Sequence, residues 1–172
     1  MANLIFLETM KFIKPEDLKP ARPAKGGDIP RILREAEEIS VFLENGGFEG
    51  LHKEGLAIAS NQVIAEEPLS YFVLRKKLPG MGSHVIINPR IKEKNLDLLV
   101  KSKEACLSWP YRKERNVERC AGIGVEYFII KRHPVFFWKK RLKRVAKKMG
   151  GLPAIVFQHE WQHLVEGKTI YG

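Results

Sequence analysis

One short segment carries the residue types needed for metal-assisted hydrolysis: His159-Glu160-Trp161-Gln162-His163. On a helix, positions i and i+4 lie one turn apart, so both imidazoles can reach the same ion. At about 100° per residue, the two histidines straddle an axis from which Glu160 stands about 80° to one side and Gln162 about 80° to the other. Glu160 then flanks an ion without having to bind it. That is the place of a general base acting on a metal-activated water. By composition alone such a string arises on the order of once per hundred shuffled chains. Taken singly, it does not separate a metal site from an ordinary helix bearing two histidines.

A catalytic site needs a third protein ligand and an open position. Nine residues follow His163, none of them His, Cys or Asp, and the one carboxylate, Glu166, belongs to the same predicted helix. The third ligand is therefore expected upstream. Cys106 is the best candidate, because a thiolate binds zinc or ferrous iron strongly. The only other cysteine is Cys120, and two are too few for a disulfide framework. A reducing cytoplasm is the default compartment.

These residues need elements to hold them. Asp28 resembles a helix cap with Pro30 in the first turn. Ile32, Ala36, Ile39 and Leu43 then follow at helical spacing, and Asn45-Gly46-Gly47 stops the pattern. The prediction is a helix over 29–44, preceded by an irregular segment, 14–30, rich in Pro, Gly and Lys. From 55 to 130 the texture changes to short apolar runs broken by turn residues. Strands are predicted over 69–74, 85–87 and 123–130, with a turn at His133-Pro134 and another strand from Val135. Ile155, Val156, Trp161, Leu164 and Val165 place the histidine pair on a late helix, 154–165, buried on most sides. The expected class is α+β, with antiparallel strands packed around that helix and a further helix near the N-terminus. The 172 residues suit one domain with a sizeable core, and the 44% hydrophobic and 29% charged content is that of a soluble protein. No apolar run approaches the roughly 20 residues that span a bilayer. Residues 1–8 lack a basic region before their apolar run and read as mature sequence.

Glu104-Ala105-Cys106-Leu107-Ser108 resembles the Glu-Gly-Cys-Leu-Ser signature of peptide deformylases. Gly55-Leu56-Ala57-Ile58-Ala59-Ser60-Asn61-Gln62 is similar to that family's Gly-x-Gly-Leu-Ala-Ala-x-Gln motif, and Gln158-His159-Glu160-Trp161-Gln162-His163 to its Gln-His-Glu-x-Asp-His motif. Ile87-Asn88-Pro89 matches the family's strand end, and Gly151 stands eight residues before His159, where the family usually has glycine. The resemblance runs from about Leu51 to Gly167, and the order of the three motifs makes it far more specific than any one of them.

The resemblance implies a function and a set of roles. Cys106, His159 and His163 would hold one divalent ion, with ferrous iron expected natively and zinc, nickel or cobalt as substitutes. Glu160 would move the proton from water to the leaving amine. Gln62 and the backbone N–H of Leu107 would donate to the oxyanion. Gly55 and Ala57 would lie along the substrate, an N-formylmethionyl nascent peptide. Glu104 would pair with an arginine, Arg119 being the best partner by position. Three positions depart from the family pattern. Ala57 and Ala105 replace glycines, and Gln162 replaces an aspartate that would hold its neighbour more firmly. The sequence stops at Gly172, so a short form without the family's ribosome-docking C-terminal helix is expected.

Two other readings stand beside this one. A metallopeptidase of the His-Glu-x-x-His type would need a downstream ligand and has no use for Gln62. A catalytically inactive, basic, ribosome- or RNA-associated module that kept the fold should have lost some of the residues named above. The net charge of +10 fits either simple solubility or attraction to a polyanion such as ribosomal RNA. Lys139, Lys140, Arg141, Lys143, Arg144, Lys147 and Lys148 form its densest cluster. Phe136, Phe137 and Trp138 beside it are candidates for the core.

Overall fold

Tyr71, Phe72, Val73 and Leu74 are all buried. A strand has two faces, so the sheet they belong to must be covered on both sides. The computed structural model, which describes residues 10–45, 55–75, 78–109, 112–136 and 138–171, shows what covers them. Helix α1 spans Ile29–Glu44 and helix α2 spans Gly151–Glu166. Between them in the chain come β1 (Ala57–Ala59), β2 (Tyr71–Leu74), β3 (Val85–Lys94), β4 (Leu99–Glu104), β5 (Arg115–Cys120), β6 (Gly122–Arg132) and β7 (Lys140–Gly150). Strands β1-β2-β3-β6-β7 form one antiparallel sheet in that order, and β4 pairs with β5 in a separate hairpin. The expectations for residues 1–8, Gly46-Gly47, Phe137 and Gly172 lie outside the described residues.

The two-residue period of the strands sorts their side chains into two cores. Phe72, Leu74, Ile86, Val125 and Tyr127 point to the layer shared with Ala154, Val156, Phe157 and Leu164 of α2. Tyr71, Val73 and Ile87 point the other way, to Ile32, Ala36, Ile39 and Leu43 of α1. Helix α2 therefore packs against one face of the large sheet and α1 against the other. The α+β class, the antiparallel pairing and both helices are as expected. No helix among the described residues is long and apolar enough to cross a membrane.

Several local expectations are corrected. Asp28 stands at the N-cap of α1, but its carboxylate does not cap the helix. It accepts the Lys25 N–H instead and pairs with Arg22. Strand β3 does not end at Ile87-Asn88-Pro89. Asn88 takes a left-handed φ of 49°, the register shifts between Ile87 and Arg90, and the strand resumes beyond this bulge. A bulge accommodates proline because one residue there needs no ladder bond. The strand expected from Val135 begins at Lys140. Before it, His133 Nδ1 accepts the N–H groups of Val135 and Phe136 in a turn. Phe136 and Trp138 are exposed rather than core. The basic cluster lies along β7, the edge strand of the large sheet, where charge discourages pairing with another chain.

Candidate metal centre

Helix α2 begins where β7 ends, and its first residue, Gly151, has φ +62° with its N–H on Ala121 O. This left-handed entry strains any residue with a Cβ. It turns the helix back under the sheet. Gln158 then fastens the helix to the end of β5: its Oε1 accepts the Cys120 N–H at 3.0 Å and its Nε2 donates to Cys120 O at 2.9 Å. The side chain thus bonds to the β5 backbone as a neighbouring strand would, and fixes the following residue, His159, against the β4–β5 hairpin.

That hairpin supplies the partners of His159. Glu104 and Arg115 are its last pair, and Arg119 faces Val100. Arg119 reaches across the hairpin to hold the Glu104 carboxylate with two bonds, 2.9 and 2.7 Å. Its Nη1 also donates to Gln162 Oε1 at 3.1 Å. The Glu104 Oε2 that Arg119 holds lies 2.8 Å from His159 Nδ1. Burial opposes the charge on Glu104, but the bonds from Arg119 and His159 outweigh it and bring its pKa down to about 2. Burial likewise opposes the charge on His159. The hydrogen bonds to Cys106 and Glu104 prevail and push its pKa up to about 10.

Two residues beyond Glu104 the chain leaves β4, and Cys106 turns inward, almost fully buried. Its Sγ lies 3.4 Å from His163 Nε2. The candidate ligand atoms of Cys106, His159 and His163 all lie within 4.8 Å of one another, and among the described residues no fourth His, Cys, Asp or Glu joins the group. His163 Nδ1 is taken up by Lys168 O at 2.8 Å. Burial, aided by the charge on His159, holds the pKa of His163 well below its ordinary value. Each histidine therefore commits Nδ1 to an oxygen acceptor, as metal-binding histidines usually do. One thiol and two imidazoles so arranged fit an ion of the zinc or ferrous type that retains an open position.

The 3-10 turn after β1, Ser60–Gln62, brings the third motif to the same place. Gln62 Oε1 accepts the Ala59 N–H at 2.8 Å, which leaves Nε2 to face Cys106 Sγ at 3.4 Å and Ser108 Oγ at 2.8 Å. Asn61 Nδ2 donates to His163 O at 2.6 Å and so ties this turn to α2. Glu160 is buried, and its Oε2 has no hydrogen-bond partner among the described residues. Burial pushes its carboxyl up to about 7, against the opposing pull of His159 and the Ala59 N–H. A carboxyl near neutrality can both accept and return a proton.

A cavity of about 370 Å³ opens beside these groups, lined by Gln62, Cys106, His159 and Glu160 at one side and by Leu152, Ile155 and Val156 of α2 at another. Gly55 and Ala57 also line it. A Cβ on Gly55 would stand 2.4 Å from Leu107 Cδ1, so any larger residue there requires the end of the leucine side chain to move. Ala57 packs its methyl into the α2 core. Nine of the ten residues expected from the sequence line this cavity or belong to the Arg119–Glu104–His159 chain behind it, and the tenth, His163, joins them through Cys106 Sγ. Ser108, Asn61, the Lys168 carbonyl and the apolar wall of α2 were not anticipated. Nothing in their types signals a site; only proximity reveals them.

Comparisons with known proteins agree with this geometry. The family described as polypeptide deformylase matches residues 31–171. The peptide deformylase of Aquifex aeolicus is 35% identical over 115 residues, 64% of this chain and 59% of that protein. The chain spans about three fifths of the length of the first such relatives it matches. Among solved structures, peptide deformylase from Thermotoga maritima superposes with a TM-score of 0.64 at 25% identity, covering 94% of this chain and 95% of that one. The enzyme of Vibrio parahaemolyticus bacteriophage VP16T, solved with actinonin, gives 0.65 at 28% identity, covering 94% and 100%.

Proposed function

Because the chain belongs to the polypeptide deformylase family, we propose that it hydrolyses the N-formyl group of N-formylmethionyl nascent polypeptides, releasing formate and a free N-terminal methionine. The observation that carries this reading is the convergence of Cys106, His159 and His163 beside a buried carboxyl, Glu160, at the end of a cavity with an apolar wall.

Cys106, His159 and His163 would hold one divalent ion, ferrous iron natively and zinc, nickel or cobalt in substitution. When bound, the ion supplies Lewis acidity that lowers the pKa of water and polarises the formyl oxygen. The chain's own groups do the rest. Glu160 takes a proton from the attacking water and returns it to the amine as the carbon–nitrogen bond breaks. Its near-neutral pKa suits both directions. Gln62, whose Oε1 is held by the Ala59 N–H, turns its Nε2 toward Cys106 and Ser108 at the cavity's edge, where an N–H can be turned to substrate. That N–H and the Leu107 backbone N–H receive the negative charge that grows on the formyl oxygen. Arg119 holds Glu104, and Glu104 holds His159 in the tautomer that leaves Nε2 for the ion. Leu152, Ile155 and Val156 offer an apolar wall to the methionine side chain, while Gly55 and Ala57 border the peptide backbone.

We read residues 1–172 as one catalytic domain working in the cytoplasm, with its basic strand β7 attracted to the ribosome surface. The test is formate release from N-formyl-Met peptides by iron-loaded protein prepared without oxygen. Turnover that requires both the metal and the formyl group supports the reading. Protein with one ion per chain and no formate release overturns it.

A further inference from the structure

Nine of the chain's 30 Lys and Arg and none of its 20 Asp and Glu lie between Tyr127 and Gly150. With Glu126 the one acidic residue of the β6–β7 hairpin, Gly122–Gly150, the hairpin carries a net charge of +8 in a chain of net charge +10. Its end is not polar. Val135, Phe136 and Trp138 are 64%, 43% and 72% exposed. The rings of His133 and Phe136 lie 5.3 Å apart, those of Phe136 and Trp138 lie 5.4 Å apart, and Lys139 Nζ sits 5.2 Å from the Phe136 centroid. This row of rings is held in place: His133 N–H donates to Lys139 O, Lys139 N–H to Phe136 O, and His133 Nδ1 receives two backbone N–H groups.

Protection of a sheet edge accounts for a lysine or two on β7. It does not account for a row of aromatic rings, two of them exposed, at the end of the same hairpin. We infer that the β6–β7 hairpin binds an unpaired segment of RNA, with bases stacking on Phe136 and Trp138 and phosphates following Lys139, Lys140, Arg141 and Lys143 along β7. Ring faces accept any base, and a row of cations tracks the backbone, which is the usual composition of a single-strand site. Arg144 pairs with Glu126 and Lys148 with Glu93, so the cations nearest the rings are the ones assigned to phosphate. The competing occupant is an anionic lipid surface, which the vesicle arm of the experiment reads. The choice of RNA rests on the deformylase reading, because a protein acting on emerging chains works where RNA is exposed.

The experiment measures fluorescence anisotropy of labelled oligouridylate of about 12 nucleotides, an RNA duplex of equal length, and vesicles containing phosphatidylserine, each across a salt series. Formate release from a short N-formyl-Met peptide is measured in parallel. Phe136→Ala/Trp138→Ala is expected to bind the single strand at least about tenfold more weakly, with the salt slope, duplex binding and formate release unchanged. Changing Lys139, Lys140, Arg141 and Lys143 together to Gln should lower the log–log salt slope by up to about 3. Equal binding of single strand and duplex, an unaffected ring variant, or binding to vesicles in place of RNA each overturns the inference. RNA binding by native protein that releases no formate would sustain this inference and overturn the deformylase reading alone.

Discussion

Glu104 Oε2 lies 2.8 Å from His159 Nδ1, across 55 positions of sequence, and this contact decides which nitrogen of His159 faces Cys106 and His163. Arg119 donates to the same oxygen at 2.7 Å, so the carboxylate is fixed before any ion arrives. The centre is thus prepared by a hairpin that contributes Cys106 at its exit and the orienting carboxylate two residues earlier.

The orienting role gives the first prediction. Glu104→Gln removes the charge that Arg119 and His159 share and should weaken metal retention by about 10- to 100-fold, measured as chelator competition followed by metal analysis. Arg119→Lys should lie between native and Glu104→Gln, since an ammonium cannot make the two-pronged contact. Unchanged retention in Glu104→Gln would show that the His159 tautomer is set by something else.

The two cysteines should behave oppositely. Cys106→Ser is expected to lose most of its metal, because a hydroxyl replaces the thiolate next to His163. Cys120 meets Gln158 through its backbone, and its thiol only fills space in the α2 core. Cys120→Ala should therefore keep full occupancy and activity and lose about 1 kcal/mol of stability. Metal analysis and thermal melts on both variants check this, and metal loss from Cys120→Ala would sink the assignment.

Glu160 separates binding from chemistry. Glu160→Gln should keep one ion per chain and lose about 10²- to 10⁴-fold in turnover, read from formate release at saturating peptide. The unpaired, buried Oε2 means that its removal breaks no hydrogen bond among the described residues. A large fall in melting temperature on substitution would accordingly contradict a role confined to proton transfer.

Gly55 and Leu107 offer a test of the cavity wall. Gly55→Ala would place a methyl 2.4 Å from Leu107 Cδ1, and the leucine end can swing aside into the cavity. The expected result is a melting temperature within a few degrees of native, corresponding to about 1 kcal/mol or less, with KM for the formyl peptide raised several-fold. A collapse of the fold would mean that Leu107 cannot move.

Holding the ion should also stabilise the protein, because ligands from the loop after β4 and from α2 are brought together only in the folded chain. At a free-metal level about 100 times the dissociation constant, stabilisation should approach about 2.7 kcal/mol. Calorimetry with and without chelator reads it directly. An equal shift in Cys106→Ser would place the binding elsewhere.

Much of this was legible in the order of residues alone. Helix α1 is predicted and found over 29–44, because Ile32, Ala36, Ile39 and Leu43 recur at the helical period between an Asp-Ile-Pro entry and an Asn exit, signals that are local in the chain. The His159/His163 pair on α2 is legible for the same reason: an i, i+4 relation needs only a helix. Strands β4 and β5 were not anticipated. They form a two-stranded ribbon with one face to solvent, so their alternating Lys, Glu and Arg carry little apolar signal. The hairpin they make is nonetheless what delivers Glu104 and Cys106. The meeting of Cys106 with His163, of Glu104 with His159 and of Gln62 with Ser108 joins positions 57, 55 and 46 apart, and no local period encodes such distances. Residue types and spacing therefore determined which chemistry this chain can host. Only the packing of α2 against the large sheet, clamped by Gln158 to the end of β5, decided where those groups meet, how deeply Glu160 is buried, and which nitrogens remain for an ion.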